Sequence, residues 1–175
     1  YWVFVPSFDY LDRLWEAFRQ DHPEIPVIRQ EREIADAARS DFLQRFRVVP
    51  PPEVPGLLGF VVLGSVFTES VDLPGEALIG VIVLGTGLPQ PGPLNDAIVA
   101  YFRAQRLDGR RLTYELPGWQ KVVQAAGRVV RAASDRGVVV LADRRFTAPD
   151  YRGLLPLHWR GWTEGAVGGG AERHL

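Results

Sequence analysis

The sequence of 175 residues contains no cysteine and no methionine, a single lysine and three histidines. The absence of cysteine excludes disulfides, thiolate metal sites, iron–sulfur ligation and cysteine nucleophiles from this stretch of chain. The histidines, His22, His158 and His174, are scattered, which argues against a histidine-based metal site. With no methionine anywhere and Tyr1 as its first residue, we expect the sequence to be a piece of a longer protein.

Long apolar runs are absent as well. Stretches such as Val81–Leu84 are far shorter than the ~18–20 residues that a membrane-spanning helix needs, and no basic segment followed by an apolar run marks a signal peptide. We therefore expect a cytoplasmic protein with no membrane partner. With 46% hydrophobic and 23% charged residues, the chain can bury the core of one ordinary domain.

Charge is distributed unevenly along the chain. Residues 1–100 carry 14 acids and 7 arginines, whereas residues 101–175 carry 13 basic residues and 7 acids. Of the 20 basic residues, 19 are arginine. A high-GC genome accounts for such a bias, but the guanidinium group also suits bidentate recognition of phosphate. The basic half is where we expect an anionic partner.

Apolar runs and amphipathic segments alternate along the chain. The strand candidates are Tyr1–Val5, Pro26–Arg29, Leu57–Leu63, Leu78–Leu84 and Gly137–Ala142. These runs are too apolar to be half-solvated, which favours a mainly parallel sheet with helices on both faces. The pattern predicts a doubly wound α/β fold.

Helical spacing of apolar residues predicts the segments between the strands. The first helix is capped by Ser7 or Asp9 and stopped by the prolines at 23 and 26. The other helix candidates are Glu31–Phe46, Leu94–Arg106 with Ile98, Tyr101 and Phe102 on its core side, Trp119–Ala133, and Pro149–Leu155. The proline-rich segment 48–56 must be an extended loop.

No complete active site can be assembled from the sequence. The phosphate loop GxxxxGK[ST], a dinucleotide GxGxxG, a GxSxG elbow and HExxH are all absent. What is present is a polar stripe at helical spacing, formed by Gln124, Gly127, Arg128 and Arg131. Glycine in the middle of a helix costs about 1 kcal/mol against alanine, which makes sense where a ligand must approach the backbone.

From spacing alone, two readings of this stripe stay open. Two arginines one turn apart form a rigid set of donors for an anion such as a triphosphate. The same arginines could equally be a solvated pair on a surface helix.

Four strings in order carry a family resemblance over residues 1–160. The string QAAGRVVR from Gln124 resembles motif VI of superfamily 2 helicases, and its continuation to Phe146 resembles the DinG/XPD-like branch. The segment 67–75 (FTESVDLPG) is similar to motif V of that branch, and 3–8 (VFVPSF) is similar to motif IV. The string GTGLP at 85–89 fits the GLP that follows motif V.

The resemblance implies a RecA-like second motor domain at 1–160, followed by a frayed glycine-rich tail at 161–175. ATP would be shared with a first motor domain absent from this chain, which would hold the phosphate loop, the Mg ligands and, in some relatives, an iron–sulfur cluster. The whole protein is then expected to be a monomeric ATP-dependent DNA helicase with a role in DNA repair, and this chain alone is expected to be inactive.

Residue roles follow by motif. Arg128 and Arg131 match the arginines that reach the γ-phosphate, and Gln124 would position the phosphate or water beside Gly127. Glu69 and Asp72 match motif V and suit ribose or base contacts or hydrogen bonds to a motif VI arginine. Both acids are also explained as a helix cap and a turn residue.

Single-stranded DNA is the partner that the resemblance implies. Ser7 fits a hydroxyl-to-phosphate contact, and Phe8 or Tyr10 could stack on a base, although Phe8 is equally explained as a core residue. A basic–aromatic cluster between motifs V and VI is a second candidate for the DNA track, or else a solvated surface. Its members are Arg103, Arg110, Arg111 and Trp119.

The sequence departs from the family at two positions. Ser65 and Ser70 stand where relatives carry glycine, and a side chain there could narrow a loop that meets the ligand. These departures favour the alternative hypothesis, a helicase-like non-catalytic binding or regulatory module.

Overall fold

The protein folds around one five-stranded parallel sheet. The structure is a computed structural model and describes residues 1–51, 53–69, 73, 77–129, 136–156, 159, 163 and 165, with only the backbone of Glu69. The strands are β1 (Trp2–Val5), β2 (Val27–Arg29), β3 (Leu58–Val62), β4 (Gly80–Val83) and β5 (Val138–Leu141). Their order in the sheet is β2-β3-β1-β4-β5, and all four pairings are parallel.

Helices fill the connections between the strands. They are α1 (Phe8–Asp21), α2 (Asp36–Arg47), α3 (Val66–Glu69), α4 (Pro93–Ala104), α5 (Leu116–Ala126) and α6 (Pro149–Arg152), with a π-helical turn at Arg111–Glu115 and a 3-10 turn at Arg144–Thr147. In the described ranges no helix is both long and apolar enough to cross a bilayer. The doubly wound α/β fold expected from the sequence is confirmed.

The sheet separates two apolar clusters, because alternate residues of each strand point to opposite faces. Trp2 and Phe4 of β1 lie in the larger cluster, where the Trp2 ring meets the rings of Phe42 and Phe46 from α2 edge to face at 6.0 and 5.6 Å. Helices α3 and α5 complete that cluster. Val3 and Val5 face the other side, beneath Leu11 of α1.

Two sequence predictions about burial are wrong. Helix α4 has no buried residue, and Tyr101, expected on its core side, is 62% exposed. Strand β5 is an edge strand rather than a buried one, because it pairs only with β4, and its Val138 and Val140 are 55% and 42% exposed. An apolar run does not distinguish a central strand from an edge strand, which explains the second error.

The bounds of helix α5 also differ from the prediction of Trp119–Ala133. The helix begins earlier, at Leu116, since the π-helical turn before it leads directly into it, with the Leu116 N–H donating to the Arg111 carbonyl. A π turn rearranges the carbonyls ahead of Pro117, whose ring would clash with the i−4 carbonyl of a regular α-helix. The helix ends at Ala126, and residues 130–135 lie outside the described part of the chain.

Candidate functional site

Helix α5 carries the motif VI residues and is fixed against the sheet by one apolar face. Trp119, Val122, Ala125 and Ala126 are all buried in the larger cluster. Gln124 lies on the opposite side of the helix and is exposed, and Lys121 and Arg128 are half-buried between the two sides. The helix therefore presents a polar row whose position is set by the core.

A close contact between backbones fixes the start of α5. Gly118 lies against the loop that follows β4, where a Cβ atom on it would come within 2.6 Å of the Thr86 carbonyl oxygen. The flanking residues Gly85 and Gly87 have positive φ angles of 92° and 60°, so the GTG turn is closed in a conformation that favours glycine. The GLP segment thus packs α5 against the carboxyl end of β4.

Gly127 is the C-cap of α5 rather than a residue in the middle of a helix. Its N–H still donates to the Val123 carbonyl at 2.8 Å, but the next two N–H groups, of Arg128 and Val129, donate to carbonyls three residues back, both at 3.2 Å. Such 3-10-type bonds tighten the last turn and satisfy its carbonyls. Gln124, Gly127 and Arg128 stay on one side of this turn, and Arg131 lies outside the described residues.

The motif V segment is described only in part. Glu69 ends α3, and Ser70 and Asp72 lie outside the described residues. Ser65, one of the two departures from the family, has no positive φ, and the Phe67 N–H donates to its hydroxyl at 3.4 Å. Serine at this position therefore fits the turn before α3 without strain.

Ser7 and Phe8 follow β1 at the carboxyl edge of the sheet. Ser7 is the N-cap of α1, and its hydroxyl accepts a hydrogen bond from the Tyr10 N–H at 3.2 Å. Phe8 is half-buried against the smaller cluster, and the guanidinium of Arg32 lies 5.2 Å from the centre of its ring. One face of the Phe8 ring is thus already occupied by a cation.

Carboxylates of α1 neutralise the arginines beyond β2. Arg32 donates to Asp9 at 2.6 Å and to Asp12 at 3.0 Å, and Arg29 donates to Asp12 at 3.0 Å. The hydrogen bond from Arg32 is the main cause that lowers the pKa of Asp9 below its ordinary value. This group of Asp9, Asp12, Arg29 and Arg32, called the α1–β2 cluster below, satisfies its cations internally.

The arginines between motifs V and VI border an open cleft of about 560 Å³. Arg103 and Arg110 line it together with Tyr114, and Arg110 lies 3.7 Å from Glu115. Arg111 is half-buried at the start of the π-helical turn, where its backbone N–H donates to Asp108 at 3.0 Å. The cleft adjoins the GLP segment through Leu88 and Pro89.

Trp119 does not belong to this basic surface, contrary to the sequence prediction. It is 5% exposed, its indole N–H donates to the Leu154 carbonyl at 2.9 Å, and its ring packs against Phe146 and Tyr151. Tyr114 is the aromatic residue beside Arg103 and Arg110 instead. Trp119 lies three residues before Val122 and seven before Ala126, so regular α-helical spacing places it on the buried face of α5.

Sequence reasoning also missed Lys121 and Arg32. Lys121 lies three residues before Gln124, so the spacing rule that defined the polar row already included it. Arg32 carries no motif, and its contact with Phe8 depends on the tertiary pairing of β2 with the rest of the sheet. Among the described residues, no group of three His, Cys, Asp or Glu side chains is placed to hold a metal ion.

Comparison with known proteins identifies the family. The model of the helicase C-terminal domain matches residues 1–162. The chain is 32% identical over 97 residues to the probable ATP-dependent helicase MJ0942 of Methanocaldococcus jannaschii, a match over 50% of this chain and 15% of that protein. It is 24% identical over 172 residues to the ATP-dependent DNA helicase CHL1 of Candida albicans, a match over 87% of this chain and 20% of that protein.

A third relative is the regulator of telomere elongation helicase 1 of Bos taurus, 28% identical over 172 residues, or 88% of this chain and 14% of that protein. The chain thus spans a fifth or less of the length of these three relatives.

Solved structures agree on the fold. An XPD helicase superposes with a TM-score of 0.64 at 18% identity, over 87% of this chain and 26% of that one. An apo XPD structure gives 0.63 at 18% identity, over 87% of this chain and 30% of that one. Identity this low shows a shared RecA-like α/β fold, and the family match adds the sequence evidence. The chain belongs to the helicase C-terminal domain family.

Proposed function

We propose that this chain is the second motor domain of an ATP-dependent DNA helicase, in which Arg128 and Arg131 act as arginine fingers on ATP held by a first motor domain. The observation that carries the proposal is the polar row on α5. Gln124 is exposed near the end of α5, Gly127 caps the helix without a side chain, and Arg128 follows in the next turn, directly after a helix that packs against the core.

The chemistry of phosphoryl transfer explains why this row suits the task. Negative charge spreads over the oxygens of the transferred phosphoryl group in the transition state, and a fixed guanidinium stabilises it. An arginine acts here through its fixed positive charge, so no proton transfer is needed. Gln124 positions the phosphate or the attacking water, and Glu69 and Asp72 bind the ribose or base or orient an arginine.

Mg²⁺ would act with residues of the first motor domain, where it neutralises phosphate charge when bound. No metal ligand is assigned to this chain. This chain would contribute positive charge, which approaches ATP from the side opposite the phosphate loop of the first motor domain.

Single-stranded DNA is the proposed second ligand. Arg110 and Arg111 would contact phosphates along the cleft, and Tyr114 on its wall is suitably placed to stack on a base. Ser7 retains its hydroxyl proton as a donor for a phosphate, and Phe8 offers the ring face that Arg32 does not cover. The α1–β2 cluster makes this second contact the weaker one, because its carboxylates repel phosphate.

Steady-state kinetics of the full-length protein test the proposal. Arg128→Ala and Arg131→Ala should each lower kcat of DNA-stimulated ATP hydrolysis by about 10³-fold or more, the range of other arginine fingers, and lower KM far less. DNA binding without nucleotide and the melting temperature should stay at wild-type values.

Arg47→Ala is the matched control, since it removes an exposed arginine at the end of α2 that has no assigned role. Normal kcat in both motif VI variants would show that the row is a solvated helix surface. A loss of DNA-stimulated turnover in Arg47→Ala as well would point to a general effect of charge.

A further inference from the structure

Lys121 is the single lysine of the sequence, and neither the motifs nor the proposed function gives it a role. It is half-buried on α5, three residues before Gln124 and seven before Arg128. At about 100° per residue, Lys121 and Gln124 lie on the same side of the helix, and Arg128 follows in the turn after the helix end. Lys121 therefore extends the polar row of the proposed site toward the start of α5.

The stem of Lys121 is anchored on the backbone that follows β3. A Cβ atom on Gly64 would lie only 3.1 Å from both Cδ and Cε of Lys121, so the stem packs directly over Gly64. Gly64 has a φ of +74°, a conformation that favours glycine, and its N–H donates to the Thr68 hydroxyl at 3.0 Å. The lack of a side chain at Gly64 is what lets the stem lie there.

This packing leaves the ammonium group at the carboxyl edge of the sheet, where open parallel α/β folds bind their ligands. Within the described part of the chain, Lys121 makes no hydrogen bond and no ion pair, whereas Arg29 and Arg32 at the same edge are bonded to carboxylates. A half-buried cation that lies in one row with a second cation gains most from a bound anion.

We propose that the Lys121 ammonium group binds a phosphate oxygen of the ligand, as a cationic contact additional to the motif VI arginines. The phosphate belongs either to the nucleotide or to the DNA backbone. The inference rests on the proposed function in one respect, because that function supplies the nucleotide and the DNA as the two sources of the phosphate. The ammonium acts as a compact point charge on a stem that Gly64 holds in place.

Isotope labelling of the full-length protein permits a direct test. Reductive ¹³C-methylation labels its lysines, and the NMR signal that is missing from Lys121→Gln belongs to Lys121. We expect the Lys121 signal to shift on titration with either a single-stranded dT oligonucleotide or Mg-ATP, and the ligand that moves it identifies the source of the phosphate. If neither ligand moves the signal, the inference is wrong, while the kcat of Arg128→Ala still tests the proposed function separately.

Binding measurements on variants give an independent readout. Lys121→Gln should weaken binding of the ligand that shifts the signal roughly fivefold, and Lys121→Arg should restore most of that affinity. If the ligand is DNA, the slope of log Kd against log salt should fall by about one phosphate contact. Arg47→Gln, which removes an equal charge elsewhere, should change neither quantity.

A Lys121→Gln variant with normal affinity for both ligands and a lowered melting temperature would overturn the inference. That result would mean that Lys121 pairs with a carboxylate of the chain itself. A loss of affinity of the same size in Arg47→Gln would also overturn it, because the effect would then be one of net charge.

Discussion

Arg32 and Lys121 both lie at the carboxyl edge of the sheet, but their surroundings differ. Arg32, beyond β2, donates to two carboxylates of α1 and covers one face of Phe8. Lys121, on α5, packs over Gly64 and makes no ion pair among the described residues, and the row continues with Gln124 and Arg128. Carboxylates of the chain therefore neutralise Arg32, and no described carboxylate neutralises Lys121.

The difference distinguishes a cation that stabilises the fold, Arg32, from a cation that is available to a ligand, Lys121. A phosphate that approached Arg32 would first have to displace Asp9 and Asp12, so the net gain from the new contact would be small. At α5 no such exchange is needed at Lys121. The motif IV residues Ser7 and Phe8 are therefore in a less favourable electrostatic setting for phosphate than Lys121.

The largest expected effect concerns the two aromatic residues near that cleft. Trp119→Ala should lower the free energy of unfolding by about 3–5 kcal/mol, because it empties a packed core position and leaves the Leu154 carbonyl without its donor. Tyr114→Ala should cost far less stability but weaken single-stranded DNA binding by about 1–3 kcal/mol, the value of one stacked base. Urea unfolding and fluorescence anisotropy measure the two quantities.

The opposite pattern would contradict this assignment. If Trp119→Ala stays folded and loses DNA affinity while Tyr114→Ala does not, the sequence-based role of Trp119 would be restored.

A smaller effect is expected at the backbone contact that positions α5. Gly118→Ala places a methyl group 2.6 Å from the Thr86 carbonyl oxygen, so α5 or the GTG turn must shift, at a cost of about 1–3 kcal/mol. Gly56→Ala is the control, since a Cβ atom there meets nothing within 4 Å. Thermal melting of both variants tests this prediction. Equal melting temperatures would show that a methyl group fits between Gly118 and the Thr86 carbonyl without a shift.

The sequence was sufficient to predict the strands but not their environment. The apolar runs around Trp2–Val5 and Leu58–Val62 predicted buried strands. Both strands are buried in the structure, because helices cover both faces of each. The run VVVL of β5 looks the same in sequence, yet it lies at the edge, because strand order is a tertiary property. Trp119 was misplaced because it was grouped with the arginines nearby in the sequence, although its spacing from Val122 and Ala126 puts it on the buried face of α5.

The candidate site could be predicted only as far as its motifs reach. Gln124, Gly127 and Arg128 were identified from their spacing and family resemblance, although the helix end at Ala126 was not. Lys121 shares their spacing but matches no motif, and its packing against Gly64 could be found only from the structure. The pairing of Arg32 with Asp9 joins residues that are far apart in the sequence, and no local pattern signals it.

The ion pair between Arg145 and Asp143, next to α5, can be tested through its dependence on pH. Asp143 accepts three hydrogen bonds from Arg145, at 2.8, 2.9 and 2.6 Å, and the 3-10 turn that they fix packs Phe146 against Trp119. The hydrogen bonds from the Arg145 side chain lower the pKa of Asp143. The stabilisation is therefore complete above the ordinary aspartate value of about 3.9 and is lost as the pH falls through the lowered pKa.

Asp143→Asn should thus reduce the free energy of unfolding by about 1 kcal/mol at neutral pH, and the difference from wild type should shrink below about pH 4. Urea unfolding at several pH values gives this curve. A difference that grows with acidity would mean that the carboxyl is not stabilised as the anion.

The smallest effect on stability is expected in the α1–β2 cluster. The double variant Asp9→Asn, Asp12→Asn removes exposed ion pairs, so the free energy of unfolding should stay close to the wild-type value. It should raise affinity for single-stranded DNA at low salt, because the carboxylates that repel phosphate are gone and Arg32 is released. Unchanged affinity in an anisotropy titration would show that DNA does not bind near the α1–β2 cluster.

The α5 row is proposed to stabilise the transition state of ATP hydrolysis. The most direct measurement compares the affinity of the full-length protein for ADP with that for ADP–aluminium fluoride, which mimics the transferred phosphoryl group. We predict that Arg128→Ala weakens binding of ADP–aluminium fluoride by about 10²-fold or more and leaves ADP binding near wild type, whereas Arg32→Ala changes neither. Equal losses for both ligands in Arg128→Ala, or no loss at all, would contradict the claim.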